Sequence, residues 1–181
     1  MTSRQDDIVR AAARCIARQG VRGLRVHDVA AEAGVSTSLL YYHFADRDGL
    51  LAATLAHVDA LVPEPRTGTA ADLTELLLGE ITDDDAIRAG SVAWSELRAS
   101  AAFEDAIREP LARRTAAWND RIQAALETAG APGDTAMLAI ALTALVEGLT
   151  GRWISGELTT DEARGVLAGT VERLVPAGVA A

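Results

Sequence analysis

The apolar residues of this chain recur at steps of three and four along nearly its whole length, and that spacing admits helices and little else. Ala and Leu dominate, no segment alternates convincingly at a period of two, and the pattern reads as all-α with about nine helices. With 181 residues, 49% of them apolar and 24% charged, the chain can bury a sizeable core. The single cysteine, Cys15, cannot close an internal disulfide. With no Cys or His at ligand spacing, it reads as a small core residue in a reducing interior. The longest apolar run, 136–146, falls short of the ~20 residues a membrane-spanning helix needs. The first residues, with Arg4, Asp6 and Asp7, lack a signal-peptide pattern, so the expected location is cytoplasmic.

The first helix, about 4–19, places Ile8, Ala12, Cys15 and Ile16 on one stripe, with Arg10, Arg14 and Arg18 elsewhere, and stops at Gly20. Two short helices follow, about 26–33 and 37–43, separated by Gly34-Val35-Ser36. Asp46 is placed to cap a fourth helix running to about 62, with Leu50, Leu51, Thr54, Leu55, Val58 and Leu61 facing inward. Pro63, Pro65 and Gly68 mark the joint between a head and a body. The body reads as helices near 70–78, 84–101, 103–129, 133–155 and 160–175.

Residues 26–45 form one unit in which the residue types have mechanical reasons. Ala30 is small where two helices cross closely, Gly34 can take a positive-φ turn, and Val29, Val35 and Leu40 seal the small core beneath. The second helix then offers Thr37, Ser38, Tyr41, Tyr42 and His43 on a rod thin enough for a DNA major groove. A helical corner with Gly at the turn also occurs in ordinary helical proteins, so the form alone leaves both readings open.

The run Asp28-Val29-Ala30-Ala31-Glu32-Ala33-Gly34-Val35-Ser36, followed by Leu40-Tyr41-Tyr42-His43-Phe44, Arg47 and Leu50-Leu51, resembles the N-terminal head of the tetracycline-repressor (TetR) family of transcription regulators over about residues 5–55. The resemblance implies a homodimer whose heads read a palindromic DNA operator and whose body binds a small-molecule effector that moves the heads apart. It also implies that Thr37 and Ser38 meet phosphates or base edges, that Tyr41, Tyr42 and His43 touch the backbone, and that Leu39 meets a thymine methyl. Arg47 stands where the family usually has Lys, so a forked cation replaces a point charge. Arg25 departs from the family's common Thr: a helix cap is lost and a charge gained. His27 is either a backbone contact or a solvated surface residue, and His43 is either a contact or a ring packed beside Phe44. On these grounds residues 1–48 are assigned to DNA binding and 49–181 to effector binding and dimerisation.

The formal charge of −9 argues against a polyanion partner until its distribution is considered. Residues 1–50 hold seven Arg against six acids, a balance of +1, and the remaining chain carries −10. The body more distantly resembles the choline-responsive branch of the family, through 94–153. In its 133–155 helix, Leu138, Leu142, Leu145 and Leu149 form one stripe, and Ala141, Ala144, Gly148 and Gly151 form another of small residues. Apolar surface on two sides implies two partners, the protein's own core and a second subunit. The expected dimer contact comprises Ala141, Ala144, Leu145, Gly148 and Trp153 with Val166, Thr170 and Leu174.

The effector-pocket candidates are His57, Leu61, Trp94, Leu97, Trp118 and Glu147, chosen because large rings can wall a cavity and Glu147 can face a cation. Core packing accounts for each Trp equally well, and pairing with Arg152 accounts for Glu147. Asp83-Asp84-Asp85 reads as a helix start favoured by the macrodipole, not as a metal site. No metal or other cofactor is expected. An enzyme finds no support, because the chain has no Gly-rich phosphate loop, HExxH, nucleophile elbow or Cys/His arrangement. The rival reading is a helical ligand-binding or scaffolding protein that no longer reads DNA.

Overall fold

A computed structural model describes residues 3–60 and 70–175. The described residues form nine α-helices and no strand, in the order and near the bounds that the spacing predicts. Leu61 and the expected joint at Pro63, Pro65 and Gly68 lie outside the described residues. Two compact units emerge from the packing, one made of 1–61 with 89–113 and the other of 62–88 with 114–181.

The first unit contains α1 (Ser3–Gly23), α2 (Val26–Glu32), α3 (Thr37–Phe44) and α4 (Arg47–Asp59). Its remainder comes from α6 (Asp85–Ser100) and α7 (Asp105–Thr128) where they fall within 89–113. The expected stripe of α1, Ile8, Ala12, Cys15 and Ile16, is buried together with Leu50, Leu51 and Leu55 of α4 and Leu97 of α6. Burial pushes the Cys15 thiol pKa up, which suits a packed side chain better than a nucleophile. Gly20 breaks α1 with φ 72° and ψ 169°, yet the helix resumes for one more turn to Gly23. The expected stop is a kink, because glycine alone turns left-handed there without strain.

Glu32 of α2 receives Arg14 and Arg18 of α1, each at 2.8 Å, and these hydrogen bonds hold its carboxyl below the usual range. Gly34 turns between α2 and α3 at φ 65°, and nothing crowds the place of its missing Cβ. Handedness, not space, requires glycine there. Ala45 joins α3 to α4 at φ 60°, ψ −54°, and the amide of Asp46 donates to the carbonyl of Phe44 at 2.7 Å across it. This tight three-residue γ-turn is strained for any residue with a side chain.

The second unit holds α5 (Ala70–Leu78), the rest of α7, α8 (Thr135–Ile154) and α9 (Thr160–Leu174), with the first turn of α6. Leu73, Leu77 and Ile81 pack with Ile122 and Leu126, with Leu142, Val146 and Leu149 of α8, and with Leu167 and Val171 of α9. Asp84 starts α6 as the acidic run predicts, its Oδ1 accepting from the amides of Ala86 and Ile87. Thr159 and Glu162 form a reciprocal cap on α9, and Arg164 donates to the carbonyl of Leu78, the last residue of α5, and to that of Ile81 just beyond it. By length and composition alone α8 could span a membrane. Its apolar residues divide instead between this core and an exposed face.

Candidate nucleic-acid interface

Ser36 opens α3 by accepting the amide hydrogen of Leu39 at 3.1 Å, and Leu40 and Phe44 pin the helix to the core. Four residues apart, those anchors fix which side faces out. Thr37 and Ser38 are exposed at the helix start, Tyr41 is 47% exposed and Tyr42 82% exposed, and Leu39 is half-buried between them. His43 is half-buried, its ring meeting Tyr42 edge-on at 5.3 Å and Phe44 at 6.2 Å. His43 thus packs beside Phe44, as the second of its two readings expects, with part of its ring still open to solvent. Arg25, an exposed residue, precedes α2 with extended backbone and no side-chain cap. Exposed His27 lies 2.9 Å from the carboxylate of Asp28.

Arg47 differs from the others. Its Nη2 donates to the carbonyl of Val21 at 2.9 Å and its Nη1 lies 3.4 Å from both carboxylate oxygens of Glu104. The expected phosphate-binding cation thus already has partners within the first unit.

The body candidates divide between the two units. His57, Trp94 and Leu97 belong to the first, where Leu97 is fully buried and Trp94 packs partly buried against the core. Burial, aided by the charge of Arg10, pushes the pKa of half-buried His57 down. Trp118 and half-buried Glu147 belong to the second, and the guanidinium of Arg121 stands 4.9 Å over the Trp118 ring. A concavity of about 990 Å³ lies along α5 and α9, lined by Thr74, Glu75, Leu78, Arg164 and Glu172 among others, and by none of the pocket candidates.

On α8 the exposed stripe consists of Met137, Ile140, Ala141, Ala144 and Gly148, with Val166 exposed on α9. Leu145, Thr170 and Leu174 are half-buried. Trp153 is not on this stripe. It is 3% exposed, its Nε1 donates to Thr160 Oγ1 at 3.0 Å, and Arg88 stacks 4.7 Å over its ring. Nine residues beyond Ala144, a side chain has rotated to the core side of the helix.

Residues 8–54 match the family model of bacterial regulatory proteins of the tetR family, and residues 69–176 match the C-terminal model of BetI-type transcriptional repressors. The chain belongs to the TetR family of transcriptional regulators. Among curated proteins it is similar to the HTH-type transcriptional regulator BetI of Burkholderia thailandensis, at 30% identity over 86% of this chain and 82% of that one. A TetR-family regulator from Rhodococcus sp. superposes with a TM-score of 0.89 at 46% identity, covering 97% of this chain and 100% of that one. A regulator from Saccharomonospora viridis, solved in complex with choline, shares the fold with a TM-score of 0.82 at 24% identity, covering 95% and 97%.

Several features of this regulator were not read from its sequence. Ser36 caps α3, and a Ser just before an apolar helix start is the signal that marks it in the sequence. Gly49 carried no visible pattern, yet a Cβ there would stand 2.2 Å from the Phe44 carbonyl oxygen. Met137 and Ile140 extend the small-residue stripe at the same helical spacing and could have been counted with it. The partners of Arg47 lie 26 and 57 residues away, beyond any local rule.

Proposed function

We propose that this regulator is a ligand-responsive repressor that binds a palindromic DNA operator as a homodimer and leaves it when a small-molecule effector binds. Residues 1–48 read the duplex and residues 49–181 bind the effector and dimerise; no catalytic step is involved, and the protein works in the cytoplasm. The observation that carries this reading is the outward face of α3, with Thr37, Ser38, Tyr41 and Tyr42 exposed while Leu40 and Phe44 hold the helix from behind. Hydroxyls on that face meet phosphates, and Leu39 offers an apolar edge to a thymine methyl. Arg25, His27, His43 and Arg47 flank it.

A second copy supplies the symmetry. The exposed stripe of Met137, Ile140, Ala141, Ala144 and Gly148, with Val166 on α9, is apolar and low in relief, which suits the close approach of a twin helix about a two-fold axis. Leu145, Thr170 and Leu174 border it. The charge of −10 beyond residue 50 repels the duplex and leaves the heads as the contact. Choline, held by the Saccharomonospora viridis relative, is the first effector to test. Trp118 and Glu147, both of the second unit, suit such a cation by residue type. The effector must prefer the non-binding state by ~10⁴-fold to shift occupancy from 99:1 to 1:99, since equal affinity for both states moves nothing.

Selection of duplexes from a random pool, followed by affinity measurements across salt concentrations, tests the reading. A palindrome should emerge, with binding that weakens steeply as salt rises. Tyr42→Ala should then lose one charged hydrogen bond in each head, about 1.5–3 kcal/mol or ~10–100-fold in affinity per head. Failure to enrich any duplex, or salt-independent binding, would leave the scaffolding reading in its place.

A further inference from the structure

Val21 follows the break at Gly20, where its amide has lost the acceptor that a continuous helix would supply at residue 17. Glu96 Oε2 accepts that amide hydrogen at 3.2 Å, and a Cβ on residue 20 would stand 2.7 Å from the same oxygen. The Val21 carbonyl in turn accepts from Arg47 Nη2 at 2.9 Å, while Arg47 Nη1 faces both oxygens of Glu104 at 3.4 Å. Both backbone groups of Val21 are therefore held, and the cation that holds its carbonyl is itself shared with a carboxylate. Arg22, the next residue, lies over the ring of Phe103 at 5.3 Å, beside that same carboxylate in sequence.

The two bonds of Arg47 are unequal. The carbonyl contact is short and fixes the guanidinium in place, whereas the Glu104 contact is at the long end of hydrogen bonding and is the weaker partner. Arg47 is also the first residue of α4, where the helix dipole disfavours a cation and an anion from outside offsets it. Both side chains remain partly open to solvent, Arg47 at 33% and Glu104 at 29%, so another anion can reach the same N–H groups.

We infer that Glu104 is an internal stand-in for a DNA phosphate: it competes for Nη1 of Arg47, lowers affinity for the duplex, and is released when a phosphate takes its place. The inference rests on the reading of Arg47 as a DNA contact. Val21 keeps the guanidinium aimed throughout, so the exchange needs only the carboxylate to swing away. Glu104 acts through Arg47 and is a positioning residue, not a DNA contact.

The experiment compares wild type, Glu104→Gln, Arg47→Ala and the double variant on the palindromic duplex that the wild type selects, across a range of salt concentrations. Glu104→Gln keeps the size and removes the charge. It should bind several-fold more tightly with a salt slope close to that of the wild type, because the same phosphate is contacted in both once the carboxylate has swung away. On the Arg47→Ala background the same change should do nothing. Equal tightening on both backgrounds would mean bulk charge alone, and unchanged or weaker binding would make Glu104 irrelevant or a support for Arg47; each overturns the inference. Glu104→Asp, too short to span the same gap, should shift binding in the same direction and serves if the Gln variant folds poorly. If the wild type selects no duplex, or if Tyr42→Ala binds as well as wild type, the DNA reading itself has failed, and this inference with it.

Discussion

The outer faces of α3 and α8 are both left uncovered by the units they belong to, and their chemistry is opposite. On α3 the uncovered residues are Thr37, Ser38, Tyr41 and Tyr42, groups that donate and accept hydrogen bonds. On α8 they are Met137, 65% exposed, and Ile140, 59% exposed, with Ala141, Ala144 and Gly148, which have nothing to offer water. A polar face left open is stable as it stands, whereas an apolar one gains free energy by being covered. The difference teaches that exposure alone does not define a site; what matters is which partner would lower the free energy of the exposed groups.

The comparison breaks most visibly at α8. Replacing Ala141 and Ala144 with Glu places like charges on the stripe without touching the core, and should weaken self-association by at least ~10²-fold in sedimentation equilibrium while thermal unfolding of the monomer is preserved. Dimers of ordinary affinity would remove the proposed interface and with it the contrast between the two faces. Next in size is Trp153→Phe, which removes the Nε1 donor to Thr160 and part of the surface under Arg88. It should lower unfolding stability by about 1–3 kcal/mol and leave self-association unchanged, because Trp153 belongs to the core and not to the stripe.

His57 sharpens the contrast within the first unit. Its pKa is lowered from 6.5, so between the lowered value and 6.5 the unfolded chain binds more protons than the folded one. The stability it contributes is fully present above that ordinary value and is lost as pH falls through the window. Denaturant midpoints should drop from pH 7.5 to pH 5.5, and His57→Gln should flatten that part of the profile. The smallest effect is expected at Ala45→Gly. Relief of the strained turn behind α3 should raise stability by up to ~1 kcal/mol, partly offset by glycine's greater freedom in the unfolded chain.

Much of the fold was legible because each local rule had a local cause. The stripe of α1, the cap at Asp46 and the acidic start of α6 are one-turn phenomena, set by residues three or four apart, and each occurs where the spacing predicts. The kink at Gly20 was half legible: glycine marked the break, and the final turn beyond it depends on Glu96 and Arg47, 75 and 26 residues from Val21. Trp153, expected at the dimer contact, is buried instead, because nine residues beyond Ala144 the helix has turned by half a revolution and presents it to the core.

The order of helices, the split between a near-neutral head and an acidic remainder, and the residues offered by α3 were determined by sequence, since helical period and residue chemistry act over a few positions. Only tertiary structure decided that Arg47 has Glu104 and Val21 as partners and that the Val21 amide, freed by the break at Gly20, finds Glu96. Those outcomes depend on contacts between residues distant in the chain, which exist once packing has brought them together and leave no periodic trace before it.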